Sequence, residues 1–434
     1  MRVVRAVRSA VLLLLLLAGG TRADVRQVTI LHLNDLHARL LPDDRGMGGF
    51  AHVATAVRRE KQSAPDAVVL HAGDLVQGSP VSTIFKGTPV YEVAEGLGLD
   101  AHCLGNHEFD YGWAQIARFR EASSAPILSA NVRGEGGETL VSPAAVLRAG
   151  DLDIAVIGAL TPRLSRLIKP EQAGPWRALP LVETLGPVVA EMHPKADMVV
   201  VLGHLFDDED LLVLRELEDV DVVVSGHDHG GLDREVVLDG RIVVKLRPYG
   251  RELGRLDIWL DTDSGEIVRH EWERIPVRAD RYPADAETAE LVEAWESKVS
   301  ERVDVDIARC ARNLGRSETQ ALIERAIRET TGADLAYMNR GGVRDSLSRG
   351  TVTARHVWNI LPFDNELVEA TVRGEDLPSE LRRERGVDPG RSYRFVTNDY
   401  VAGQWQGLGI DFRPTGSVLR DTFLDWVAAR KELP

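Results

Sequence analysis

One device recurs along this chain: a short β-branched apolar run stops, and Asp, Asn or His follows at once. Val28 to Leu33, Ala67 to Leu70, Met198 to Leu202 and Val220 to Val224 are runs of this kind, and Ile154 to Ala159 is a further strand-like run. Uninterrupted β-branched stretches of this length suit strands buried on both faces. Amphipathic patterns lie between them, as at Ala51 to Lys61 and Trp113 to Glu121. Strands alternating with helices predict an α/β domain. Ile242 to Leu246 and Gly254 to Leu260 follow one another without a helix, so part of the sheet is expected to be antiparallel.

The polar loops are Asn34-Asp35-Leu36-His37, Gly73-Asp74, Gly105-Asn106-His107-Glu108-Phe109-Asp110, Gly203-His204 and Gly226-His227-Asp228-His229. Ligands bind at the carboxyl ends of strands in α/β sheets. A mixture of carboxylate, imidazole and amide oxygen suits Zn, Mn, Fe or Co, and does not suit Ca or Cu(I). Asp35 and His37, like His227 and His229, stand two apart, and in extended chain such side chains share a side. One carboxylate, most simply Asp74, can bridge two cations. Cations ~3.5–4 Å apart clamp a phosphoryl group and make a bound water acidic enough to attack near neutral pH. Glycines beside the ligands let the backbone approach closely. His32, His71 and His102 sit within strands and are read as packed or backbone-bonded. His52, His193, His270 and His356 lack ligand-like neighbours.

The 434 residues, 44% apolar and 27% charged, fit a globular protein of two or three domains and exclude a disordered chain or a multi-span membrane protein. A net charge of −15 argues against a nucleic-acid polymer or an anionic membrane as partner. Arg2, Arg5 and Arg8 precede the apolar run Val11 to Ala18, and small residues follow to Ala23. This reads as a secretory signal over residues 1–23, with an uncleaved anchor as the alternative. The run falls short of the ~20 residues a membrane span takes. The mature protein is therefore expected to be exported, periplasmic or extracellular. The widely separated Cys103 and Cys310 are expected as free or buried thiols.

The five loops together resemble the calcineurin-like metallophosphoesterases. Glu108-Phe109-Asp110 after Asn106-His107, and the downstream Asn339-Arg340-Gly341-Gly342-Val343-Arg344 and Leu361-Pro362-Phe363-Asp364-Asn365, resemble the 5'-nucleotidase and UDP-sugar hydrolase family. The resemblance implies a four-layer α/β/β/α sandwich over residues 24–278, a linker and interdomain helix over 279–303, and a smaller α/β substrate-binding domain over 304–434. It implies two divalent cations (Zn, Mn, Co or Fe), one on Asp35, His37, Asp74 and His229, the other on Asp74, Asn106, His204 and His227. His107 would contact the transferring phosphoryl group or leaving oxygen, oriented by Asp110. From the residues alone, a carboxylate three positions on can hold a histidine in one tautomer. Asp110 is alternatively a cap for the following helix. Phe363 and Tyr400 would clamp a base, with Asn339 and Arg344 meeting ribose, phosphate or base. The alternatives are a core aromatic for Phe363 and a strand tyrosine for Tyr400.

Two stretches depart from the family. Gln404-Trp405-Gln406 stands where Gly-Gly-Asp is usual, so Gln406 would replace a sugar-binding carboxylate or Trp405 would fill the space. Around Arg316 to Gln320 the usual anion-binding elements are degraded, leaving Arg312 or Arg316 as candidates for a second anion-binding arginine. Leu205-Phe206 also follows His204 where small residues are common. The expected activity is removal of phosphate from nucleotides by a hydroxide formed at the metal pair. The alternatives are a nucleotide-sugar diphosphatase, a 2',3'-cyclic nucleotide phosphodiesterase, a hydrolase of a sulfur-containing ester, or a non-catalytic nucleotide- or metal-binding protein. Oligomeric state has no sequence signal.

Overall fold

The computed structural model describes residues 24–434; the secretory-signal reading falls on residues 1–23, outside them. Two six-stranded sheets form the first body. One runs in the order Glu266–Pro276, Glu252–Asp261, Val25–Leu33, Val68–His71, Ala101–Cys103, Ile127–Leu128. The other runs Val236–Leu238, Arg241–Lys245, Val222–Ser225, Met198–His204, Leu152–Leu160, Ala144–Ala149. The central strands of each are parallel. The hairpin at 252–276 makes one edge antiparallel, as the absence of a helix between those strands requires.

The sheets face each other through an apolar layer, with Val28, Ile30, Val68 and Leu70 against Val156, Val200, Val224 and Val244. Alternation along each strand then sends Leu31 and Leu33 outward, under helices Phe50–Ser63 and Ala286–Val303. Val199 and Val201 pack on the opposite outer face, under helices Leu181–Met192 and Asp207–Glu216. Both faces of both sheets are covered, which explains the unbroken β-branched runs and gives the α/β/β/α layering.

Asp285 caps the helix Ala286–Val303 by accepting the Thr288 N–H at 2.9 Å. A second, smaller α/β body follows. A three-stranded sheet (Gly350–Thr353, Asp306–Cys310, Glu432–Leu433) and a four-stranded one (Leu335–Ala336, Ser392–Asn398, Glu366–Arg373, Arg413–Val418) share a core with helices Arg316–Thr331, Ala354–Ile360 and Leu419–Arg430. The strand Leu335–Ala336 is short, because the chain turns after it into the loop carrying Asn339 and Arg344. Cys103 and Cys310 are both buried and unpaired. Among the described residues no helix is long and apolar enough to cross a membrane.

Candidate active site

The carboxyl ends of the parallel strands gather the polar loops into one pocket. Asp35, His37 and His229 bring donor atoms together, as do Asp74, His204 and His227, and His37, Asp74 and His107 join the two groups. Asp74 Oδ2 lies 3.1 Å from His204 Nε2 and 3.8 Å from His37 Nε2. Asp35 Oδ1 lies 3.5 Å from His229 Nε2. Imidazole nitrogens face each other at 3.0 Å (His37 and His229) and 3.2 Å (His204 and His227). The buried Asn106 Oδ1 has no partner. So many converging lone pairs, with a stranded amide oxygen beside them, fit a cation-binding donor set better than a hydrogen-bond network.

The backbone reaches this arrangement differently from the extended geometry expected. Asp35, His37, Asp74 and His227 have φ of 51°, 47°, 56° and 78°. The i, i+2 pairs therefore converge through left-handed turns. Non-glycine residues adopt such turns at a cost and only where their surroundings fix them. Two fixtures are visible. A Cβ on Gly105 would lie 2.1 Å from Asp74 Oδ1, so the Asn106 and Asp74 loops touch through a glycine. Glu108, fully buried, accepts N–H bonds from Gly105 at 2.6 Å, Leu75 at 2.9 Å and Asp74 at 3.1 Å. Its role was not legible beforehand, since only the fold shows which amides it meets.

His107 donates its backbone N–H to Asp74 Oδ1 at 2.9 Å, and its Nδ1 lies 2.8 Å from Asp110 Oδ2. Its Nε2 points back toward Asp74 Oδ2, 3.9 Å away. Burial opposes protonation of His107, but Asp110 and Asp74 together raise its pKa above the ordinary imidazole value. Burial and the nearby Arg344 cation hold His37 well below that value, in the neutral form a ligand needs.

The second body supplies the far wall. Arg344 comes within 2.9 Å of His37 Nε2. The Phe363 ring lies 5.8 Å from the His107 ring. Asn339, held by Asn398 at 3.2 Å, and Tyr400 line the same cavity of about 300 Å³. Tyr400 sits on a short helix, Asp399–Gln404, rather than on a strand. Asp364 and Asn365, from the same motif as Phe363, line the cavity too. So do Leu167, Lys169, Gln172 and Tyr111, which carried no sequence signal. Lys169 Nζ meets Asp399 Oδ2 at 2.6 Å, and Gln404 donates to the Arg166 carbonyl at 2.5 Å, so the helix grips the first body.

Three expectations are corrected. Trp405 does not fill the substrate space; it stacks on Tyr337 and Phe395 inside the second body. Gln406 does not line the cavity. Neither Arg312 nor Arg316 lines the cavity: Arg312 pairs with Glu318 at 2.8 Å, and Arg316 donates to the carbonyls of Val343 and Arg340, bracing the loop before Arg344. Phe206, after His204, packs edge-on to His227 at 4.2 Å.

Residues 28–231 match the calcineurin-like phosphoesterase family, and residues 296–386 match the 5'-nucleotidase C-terminal domain. The chain is a calcineurin-like metallophosphoesterase with a 5'-nucleotidase C-terminal domain. This membership makes it a phosphoester hydrolase. It is 28% identical over 408 residues to the 5'-nucleotidase of Bos taurus, covering 81% of this metallophosphoesterase and 70% of the relative. It is 24% identical over 426 residues to "Endonuclease YhcR" of Bacillus subtilis (strain 168), covering 88% of this chain but only 35% of that longer protein. In fold it superposes on the crystal structure of a 5'-nucleotidase precursor from Thermus thermophilus with a TM-score of 0.85 at 24% identity, over 94% of this chain and 97% of that one.

Proposed function

We propose that this metallophosphoesterase is an exported enzyme that holds two divalent cations and releases phosphate from nucleotides in the manner of a 5'-nucleotidase. One observation carries the reading. His107, bonded to Asp110, directs Nε2 at the Asp74 cluster, and Arg344 and Phe363 reach that point from the other body. Export is supported by the basic and apolar pattern ahead of Ala23.

Asp35, His37, Asp74 and His229 would hold one cation, and Asp74, Asn106, His204 and His227 the other, with Asp74 shared. Bound there, the ions supply Lewis acidity, bringing the pKa of a water toward neutrality and offsetting charge on phosphoryl oxygens. Arg344 offers its planar fork to those oxygens. Asp110 accepts the Nδ1 proton of His107 and favours the imidazolium, so that Nε2 also carries a proton to give to the departing oxygen. Phe363 and Tyr400 take the base between them, where stacking contributes about 1–3 kcal/mol. Asn339 meets ribose, phosphate or base.

The test is phosphate release from AMP, UDP-glucose, 2',3'-cyclic AMP and an aryl phosphodiester, with Mn, Zn, Co or Fe added in turn. AMP is expected to react fastest, and Asp74→Asn to lose both metal and turnover. Tight nucleotide binding with no release under any metal would overturn the reading in favour of a binding protein. A faster diester would reassign the substrate.

A further inference from the structure

We propose that Lys245 is a positioning residue: its buried ammonium ties the loop that follows His204 to the loop carrying His227 and His229, and so sets how tightly the cation on Asp74, Asn106, His204 and His227 is held. The inference rests on the metal-site reading above and extends it to a residue outside the donor set.

Lys245 ends the strand Arg241–Lys245, beside Ser225, and its side chain is 0% exposed. Alternation along the strand puts it on the face of Val243, under the helix Asp207–Glu216. Val243, two residues back on that face, belongs to the apolar layer under the helix, so a charge at 245 is not what the packing of this strand asks for. The ammonium has three protons to give. It meets the Leu205 carbonyl at 3.1 Å, Asp207 Oδ1 at 2.8 Å and Asp210 Oδ2 at 2.7 Å. Asp228 Oδ2 lies 3.8 Å away and accepts the Asp207 N–H at 2.8 Å.

The addresses of these partners carry the argument. Leu205 directly follows His204, and Asp228 stands between His227 and His229. The backbone link between the two loops is the Gly226 N–H to Gly203 carbonyl bond at 3.1 Å. His227 is held in a left-handed turn, φ 78°, which persists only when its surroundings fix it. Lys245 therefore locks two imidazoles that must meet one ion, without touching either. Groups that orient ligands in this way typically alter metal affinity 10–100-fold when removed.

The experiment compares wild type with Lys245→Met/Asp210→Asn, which removes both opposing charges so that Asp210 is not left ionised and unpaired. Leu256→Ala, in the apolar layer between the sheets, is the control for lost stability. Mn²⁺ binding to chelator-stripped protein is followed by titration calorimetry, with the thermal midpoint of the stripped protein measured alongside. Wild type is expected to bind two equivalents, the double variant to bind one of them 10–100-fold more weakly, and Leu256→Ala to keep both despite a lower midpoint. If the double variant does not fold, Asp228→Asn, at the exposed rim of the network, replaces it and is expected to weaken the same equivalent several-fold. Unchanged affinities, or equal weakening in Leu256→Ala, would overturn the proposal while leaving the metal site standing. A wild type that binds no Mn²⁺ would overturn the metal-site reading and this inference with it.

Discussion

On the proposed reading, His107 is the side chain whose removal would separate metal binding from chemistry. It contributes no donor to the proposed metal sets, so His107→Ala is expected to retain two metal equivalents by elemental analysis while turnover falls about 10²–10⁴-fold. Its neighbour Glu108 acts on the scaffold. Four backbone N–H groups, those of Asp74, Leu75, Val76 and Gly105, point at this buried carboxylate. Glu108→Gln would turn an amide NH₂ toward donors, and urea unfolding is expected to show a loss of about 1–3 kcal/mol. The residue types of the site were readable because Asp, Asn and His in five such loops have few other uses. The left-handed φ values at Asp35, His37, Asp74 and His227 were not. Backbone strain has no signature in residue identity except at glycine, and the glycines here stand beside the strained residues.

At the scale of elements, the buried strands of the first body were plain from their β-branched runs, because a strand covered on both faces is built mostly from apolar side chains. The second body was harder to read. Its sheets are shorter, and Leu335–Ala336 yields to a functional loop after two residues. The helix Asp399–Gln404 has no amphipathic period over six residues, so Tyr400 was compatible with a strand. Trp405 illustrates the same difficulty: its destination depends on Tyr337 and Phe395, which are remote in sequence. The helix Asp399–Gln404 also yields a prediction. Its Lys169–Asp399 pair is partly exposed, so Lys169→Ala is expected to change stability by less than about 1 kcal/mol. Because Lys169 lines the cavity beside Tyr400, the same variant is expected to raise KM for a nucleotide more than it changes kcat, measured by steady-state kinetics.

For the molecule as a whole, the histidines buried outside the donor set contribute to its response to acid. Burial lowers the pKa of His32 and of His71 to about 3, and of His102 to about 4. Trp272 Nε1 donates to His32 Nε2 at 2.9 Å, which a proton there would displace. In the unfolded chain these imidazoles titrate near 6.5. Above that pH they contribute nothing to the pH dependence. As pH falls through 6.5 the unfolded chain takes up protons that the native one refuses, and stability drops until about pH 3–4. At pH 5 the loss is about 2 kcal/mol per histidine. In a chelating buffer, the urea midpoint is expected to stay level from pH 7.5 to about 6.5 and to fall from there to pH 5, and His71→Gln to flatten that fall.

The cavity has its floor in one body and its far wall in the other, joined by pairs such as Lys169–Asp399, Arg39–Asp345 and Thr83–Pro362. On the proposed reading, the apparatus that breaks a bond and the surface that chooses which molecule presents it thus sit in separate stretches of the chain. On that reading, changes at Phe363, Asn365 or Tyr400 would retune preference for a leaving group while the hydrolytic floor stays as it is. A lineage can explore new diets this way without relearning how to cut.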